Sequence, residues 1–312
     1  MTGLAGIACR GASEEDPLEH HDPSPETATT PRWFSAALAS RPDHVDVDVD
    51  GCAIHLRCWG DPALPGLVLV HGGAAHSGWW DHVAPFFAGE QRVVALDLSG
   101  HGDSGHREHY DMTLWATEVM AAAAAGGITR PPVVVGHSMG GWAAATTGVQ
   151  HGERLAGVVI IDSPLNDQPP EEKGIRHRMR PRRVYPTLEE AVARFTTLPR
   201  QDVMLPFIAR HIAEQSLRQV EGGWTWKFDP AMFGQRALMR ELLPALRCRA
   251  ALLRSEFGLV PPAMAVRMEQ LLPVGVPVIE LPDAGHHPML DQPLPLVAAL
   301  RTLLTSWTAA AR

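Results

Sequence analysis

The chain predicts an α/β fold: a mostly parallel, twisted sheet with helices on both faces and a helical lid. Three observations predict it. Short runs of almost unbroken apolar character recur at GLVLV (66–70), RVVALDLS (92–99), PPVVVGHS (131–138) and LAGVVIIDS (155–163), as expected of strands covered on both faces. Segments of helical pattern separate them, and strand–helix alternation is how parallel sheets are built. After residue 163 the alternation stops for about eighty residues and then resumes, and a structureless loop of that length would be implausible.

The elements follow in order. Residues 1–40 include GASEEDPLEHHDPSPETATTP, too polar to bury a core, and are expected to form a flexible tail in which His20-His21 is solvated. HVDVDVDG and CAIHLRCWG alternate apolar and polar around Asp50-Gly51, the pattern of a β-hairpin. SGWWDHVAPFFAG (77–89), TLWATEVMAAAAA (113–125) and MGGWAAATTGVQ have helical spacing. Within 164–245, LEEAVARF (188–195) and LPFIARHIAEQSLRQV (205–220) read as helices and no sheet strand is evident. The core pattern returns with RAALLRSEF (249–257), PPAMAVRMEQLL (261–272), PVIELPDA (277–284) and a helix near 292–309. The expected organisation is a tail over 1–40, a core made of 41–163 and 246–312, and a cap or lid over 164–245.

Bulk properties narrow the function classes. The 312 residues are 45% hydrophobic and 20% charged, ordinary for a soluble globular enzyme. A net charge of -8 argues against nucleic acid as a partner. Four cysteines (Cys9, Cys52, Cys58, Cys248) without a C-x-x-C pair read as free thiols of a reducing compartment. The mildly apolar start, MTGLAGIA, lacks the charged opening and the length of a secretory signal. No apolar run reaches membrane-spanning length. A cytoplasmic location is expected.

The strongest chemical signal is Gly136-His137-Ser138-Met139-Gly140-Gly141, a G-x-S-x-G motif between an apolar strand and a small-residue helix. There a serine sits on a strained turn that lifts its hydroxyl out, and the glycines let neighbouring backbones pass. Ser138 is the expected nucleophile. His71-Gly72-Gly73-Ala74 follows strand 66–70, where a loop supplies a backbone N–H to an oxyanion hole, with Met139 supplying the other. Gly73 or Ala74 is the donor on that loop. Gly73 is chosen, and Ala74 is assigned to substrate contact. Asp283-Ala284-Gly285-His286-His287-Pro288 follows the last apolar strand. A base for Ser138 has to come from that sheet edge, and His286 is chosen over its neighbour His287.

Together, the HGG loop, Asp97-Leu98-Ser99-Gly100-His101-Gly102-Asp103-Ser104, the GHSMGG elbow and the AGHHPMLDQP ending resemble the α/β-hydrolase superfamily over about 45–163 and 247–309. The resemblance is to its serine esterase/lipase-like branch. It implies the α/β-hydrolase fold, and it implies that Asp97 is structural. In most of the family the triad acid follows the strand before the histidine strand, but here that place reads Ser255-Glu256-Phe257-Gly258-Leu259 and holds no aspartate. Asp162, at the end of strand 155–161, resembles a variant in which the acid is displaced to the strand after the nucleophile helix. Asp162 is preferred, with Glu256 as the alternative.

A serine nucleophile suits acyl transfer to water from an ester, lactone or thioester, with no metal or organic cofactor. The partner expected is a small molecule, with an apolar acyl group. Trp224, Trp226 and Phe228 in GGWTWKFDP, like Trp79 and Trp80, either line that acyl pocket or pack the lid onto the body. The basic run Lys173, Arg176, His177, Arg178, Arg180, Arg182 and Arg183 is either a solvated face or a recruiter of anions. Two rival readings stay open: a carbon–carbon bond hydrolase of the same fold, and a non-catalytic small-molecule receptor.

Overall fold

A computed structural model of the protein describes residues 30–165, 183–234 and 238–309. Cys9, His20-His21 and the basic residues from Lys173 to Arg182 lie outside the described residues.

Eight strands form one sheet: β1 (Asp43–Val49), β2 (Cys52–Trp59), β3 (Gly66–Val70), β4 (Arg92–Leu96), β5 (Val133–His137), β6 (Gly157–Ile161), β9 (Ala250–Phe257) and β10 (Val278–Gly285). Their order across the sheet is β1-β2-β4-β3-β5-β6-β9-β10. β1–β2 and β2–β4 pair antiparallel and the other neighbours pair parallel. The chain leaves β3 towards β4 and then crosses back to lay β5 on the other side of β3. That reversal opens a crevice at the carboxyl ends of β3 and β5, where ligands bind in open α/β sheets.

Alternation along the strands splits the core in two. Val68, Val134, Val158 and Leu252 face one side, under the helices α2 (Met112–Ala125), α3 (Met139–His151) and α7 (Pro262–Leu271). Leu69, Val135, Ile161 and Leu253 face the other, with Trp80 and with Leu296 and Leu300 of α9 (Pro293–Ala309). Cys52 and Cys58 are buried and, with Cys248, free. No helix of the described residues is long and apolar enough to cross a membrane.

Three expectations change. The tail does not extend to residue 40: Arg32–Ala39 is a helix, α1, whose Phe34 is buried in the second core cluster against Phe207 of the inserted segment. Trp33-Phe34 is enough apolar surface to dock one short helix, whatever the polarity upstream. The inserted segment is not purely helical. It holds α4 (Leu188–Val192), α5 (Pro206–Gln215), a hairpin of β7 (Leu217–Val220) and β8 (Gly223–Trp226), and the single turn α6 (Met239–Leu242). α5 ends at Ser216, whose hydroxyl turns back to the Ile212 carbonyl (2.7 Å), and the positive φ of Gly222 and Gly223 makes the turn of the hairpin. Finally, 77–89 forms two short 3₁₀ turns, Ser77–Trp80 and Ala84–Phe86, in place of one helix, with Pro85 in the second.

Phe34→Ala is expected to cost about 3 kcal/mol, the scale of a buried Phe truncation. Chemical denaturation of the full chain measures it.

Candidate active site

Ser138 stands between β5 and α3 with φ 55° and ψ -118°, a region that side-chain-bearing residues rarely occupy. The tight packing of its neighbours holds it there. A Cβ on Gly136 would lie 2.1 Å from the Gly140 carbonyl oxygen, and one on Gly140 would lie 2.3 Å from that of His71. Both clashes are with backbone, so neither glycine is replaceable. Ser163 ties the turn from behind, its hydroxyl donating to the Ser138 carbonyl at 2.7 Å.

The structure brings Ser138, His286 and Asp162 together. The Ser138 Oγ is 2.9 Å from His286 Nε2, and His286 Nδ1 is 2.7 Å from Asp162 Oδ2. A carboxylate only accepts, so Nδ1 carries the proton and Nε2 offers its lone pair to the serine hydroxyl. Asp162 is 1% exposed, yet its oxygens are well supplied. Leu259 N–H donates at 2.7 Å, Ser255 N–H at 3.2 Å and Val260 N–H at 3.3 Å. Gly258 is obligatory in that cradle, since a Cβ there would meet Asp162 Oδ2 at 2.1 Å. Glu256 lies elsewhere. It is exposed and accepts the Asp283 amide at 2.8 Å.

His287 faces away from Ser138. Its backbone N–H and ring contact Gln201 and Pro199. Burial, then neighbouring His137 and His286, holds its imidazole well below the usual pKa. His137 is likewise pushed down to about 3, first by burial. It stays neutral, and its Nε2–H donates to the His286 carbonyl at 2.7 Å.

The loop after β3 lies over the serine. A Cβ on Gly72 would be 3.3 Å from Ser138 Cβ, and one on Gly73 would be 3.7 Å from Met139 Sδ. Gly73 therefore packs against the Met139 side chain, next to the turn that carries Ser138. Met139 opens α3, so its N–H has no acceptor within the helix. Ala74 takes a left-handed φ of 59° and turns the loop. His71, buried and held down to about 4 by desolvation, accepts Leu98 N–H and lies beneath the loop. Asp97 is structural here, binding the amides of Ser77 and Asp103 at 2.6 and 2.7 Å.

Residues 67–300 match the model of the alpha/beta hydrolase family. The chain belongs to this family. Among characterised members it is similar to the esterase Rv0045c of Mycobacterium tuberculosis, at 27% identity over 82% of this chain and 88% of that protein. It is also similar to the pimeloyl-[acyl-carrier protein] methyl ester esterase of Edwardsiella ictaluri, at 27% identity over 75% of this chain and 91% of that one. Among solved structures it resembles a thermophilic esterase from Thermogutta terrifontis, with TM-score 0.68 and 25% identity over 85% of this chain and 99% of that one.

In this alpha/beta hydrolase a cavity of about 150 Å³ runs from the β3 loop into the inserted segment. Gly73, Ala74, Trp79, Phe195, Trp226 and Phe228 are among its walls. Trp224 is not. It lies one pleat repeat further along β8, where its backbone pairs with Tyr185. Trp80 is fully buried in the core. Among the described residues, one group of three metal-ligating side chains clusters, His137, His286 and His287, each with a ring nitrogen within 4.8 Å of the others. Both nitrogens of His286 already serve Ser138 and Asp162, so a metal there would compete with the hydrogen-bond relay.

Two sets of contributors escaped sequence reasoning: Ser163 behind the turn, and the backbone donors of 255–260. The signal for Ser163 was its place directly after Asp162. The backbone donors leave no side-chain signal.

Gly140→Ala is expected to destabilise the protein by more than about 4 kcal/mol, because backbone meets its new methyl. Thermal unfolding of the variant beside wild type checks this.

Proposed function

We propose that this alpha/beta hydrolase cleaves carboxylic esters of small molecules through an acyl-enzyme on Ser138. One observation carries the reading: the continuous relay Ser138–His286–Asp162, with 2.9 and 2.7 Å links, on a strained turn at the sheet's switch point. The esterases among its relatives support the same chemistry.

In the first half-reaction the Ser138 Oγ attacks the ester carbonyl while His286 Nε2 takes its proton. Asp162, held by three amides, steadies the imidazolium and fixes its tautomer. The backbone N–H groups of Gly73 and Met139 receive the developing oxyanion. Collapse breaks the acyl C–O bond, and His286 returns the proton to the departing alkoxide as alcohol. In the second half, water attacks the acyl-enzyme, gives its proton to His286 and releases the acid and free Ser138.

The inserted segment serves as a cap, and the cavity takes the acyl group. Its walls are mainly apolar, and a space of about 150 Å³ accommodates a benzene-sized group. A space of that size suits short or compact acyl groups better than long chains. Lactones and thioesters of similar size suit the same geometry.

The purified protein is expected to hydrolyse p-nitrophenyl butyrate or hexanoate well and palmitate poorly. Ser138→Ala is expected to lose at least about 10³-fold in kcat, and Asp162→Asn about 10³–10⁴-fold while still folded. Glu256→Gln is expected to keep wild-type activity. Loss in Glu256→Gln with Asp162→Asn active would reverse the assignment of the acid. No hydrolysis of any ester by folded wild type would transfer the reading to the carbon–carbon hydrolase or the receptor.

A further inference from the structure

The loop that carries His286 is short and lies between β10 and a single helical turn, α8 (Pro288–Asp291). β10 shifts register against β9 between Leu281 and Gly285 and ends at Gly285, so His286 itself lies beyond the strand pairing. Other contacts hold it. The peptide joining His286 to His287 is held at both ends: its carbonyl accepts from His137 Nε2 at 2.7 Å, and its N–H donates to Gln201 Oε1 at 2.8 Å. His137 belongs to the body of the fold. Gln201 belongs to the inserted segment, 86 residues away in sequence.

Gln201 also fixes the residue on the other side. Its Nε2 donates to Asp291 Oδ2 at 2.9 Å, and the same oxygen accepts Gly285 N–H at 2.6 Å. The side-chain amide lies across Gly285 so closely that a Cβ there would meet Gln201 Cδ at 2.5 Å. The glycine before the histidine is thus the space that Gln201 fills. The amide is itself anchored, with Nε2 donating to the Val203 carbonyl at 2.9 Å and the backbone N–H donating to Thr197 Oγ1 at 2.8 Å. Thr197 is a wall of the acyl cavity.

We propose that Gln201 is a positioning residue that sets the orientation of His286 and links it to the wall of the acyl cavity through Thr197. The inference rests on His286 being the general base. Each link is a hydrogen bond: Gln201 N–H to Thr197 at the cavity wall, Gln201 directly to the 286–287 peptide and through Asp291 to Gly285 N–H, and His286 to Ser138. The inserted segment therefore completes the base as well as enclosing the substrate. Releasing it leaves the 286–287 peptide held at its carbonyl end alone. The ring can then swing by an amount small in distance and large in rate, since a misplacement of about 1 Å can cost about 100-fold.

The test compares two variants of the full chain. Gln201→Met keeps the length and volume and removes every side-chain hydrogen bond. Gln201→Glu keeps an acceptor for His287 N–H but sets a carboxylate against Asp291, and one proton shared between the pair restores the lost donor. Gln201→Met is expected to lower kcat on a short ester about 10–100-fold with KM within about threefold. The ratio of Gln201→Glu to wild-type kcat is expected to rise as pH falls, whereas the Gln201→Met ratio stays flat. Arg200→Ala, a change at the exposed neighbour paired with Asp202, is the control expected to match wild type.

Wild-type kcat in Gln201→Met overturns the proposal. So does a loss explained wholly by a smaller folded fraction, or a flat ratio for Gln201→Glu. A readout without turnover separates this proposal from the function it rests on. In a Ser138→Ala background, the His286 Nδ1 proton resonance is expected to shift in Gln201→Met, and an unmoved resonance overturns the positioning role even if wild type hydrolyses no ester.

Discussion

The site depends on one packing constraint: the first turn of α3 approaches the carboxyl end of β3 more closely than any side chain allows. Gly140 lies with its Cα against the His71 and Val70 carbonyls, and Gly136 lies under Gly140. Because the helix is pressed onto the strand end, Ser138 has no relaxed conformation available and takes its positive φ. The same contact brings Gly73 against the Met139 side chain, in the loop that lies beside Ser138. The strained turn at Ser138 and the position of the loop after β3 are therefore consequences of a single backbone approach.

The acidic end follows a different logic. A buried carboxylate is costly unless its oxygens are satisfied, and Asp162 meets that requirement by recruiting amides from the end of β9 and the turn after it. The turn that supplies the acid in most of the family here supplies donors to it: Ser255, Leu259 and Val260 point their N–H groups at Asp162. Gly258 makes room for the carboxylate. The two sites have exchanged parts, and Glu256 is left on the exposed side of the strand end to brace Asp283.

Much of this was legible in the sequence because burial imposes periodicity. Strands covered on both faces become apolar runs, so the parallel sheet and its order of elements could be read directly. The glycines around Ser138 were legible for a steric reason, and Asp162 was found by the absence of an aspartate downstream. What escaped reading is tertiary. LPFIARHIAEQSLRQV has helical spacing throughout, but pairing with GWTW makes its last four residues one strand of a hairpin. Helix α1 was hidden because the polar composition upstream outweighed Trp33 and Phe34. Gln201 has no local pattern at all. It matters only because the fold lays it across Gly285.

The hairpin's attachment to the body has a mechanical consequence. Gly102 N–H donates to the Lys227 carbonyl at 2.7 Å, and Asp229 N–H donates to the Gly100 carbonyl at 2.7 Å. Main chain is thus stitched to main chain at two adjacent points, and Phe34 is wedged against Phe207 on the far side of the segment. Main-chain ties of this kind restrain the hairpin before any ligand arrives, and a wall already restrained incurs less of the ordering cost that a closing flap would impose.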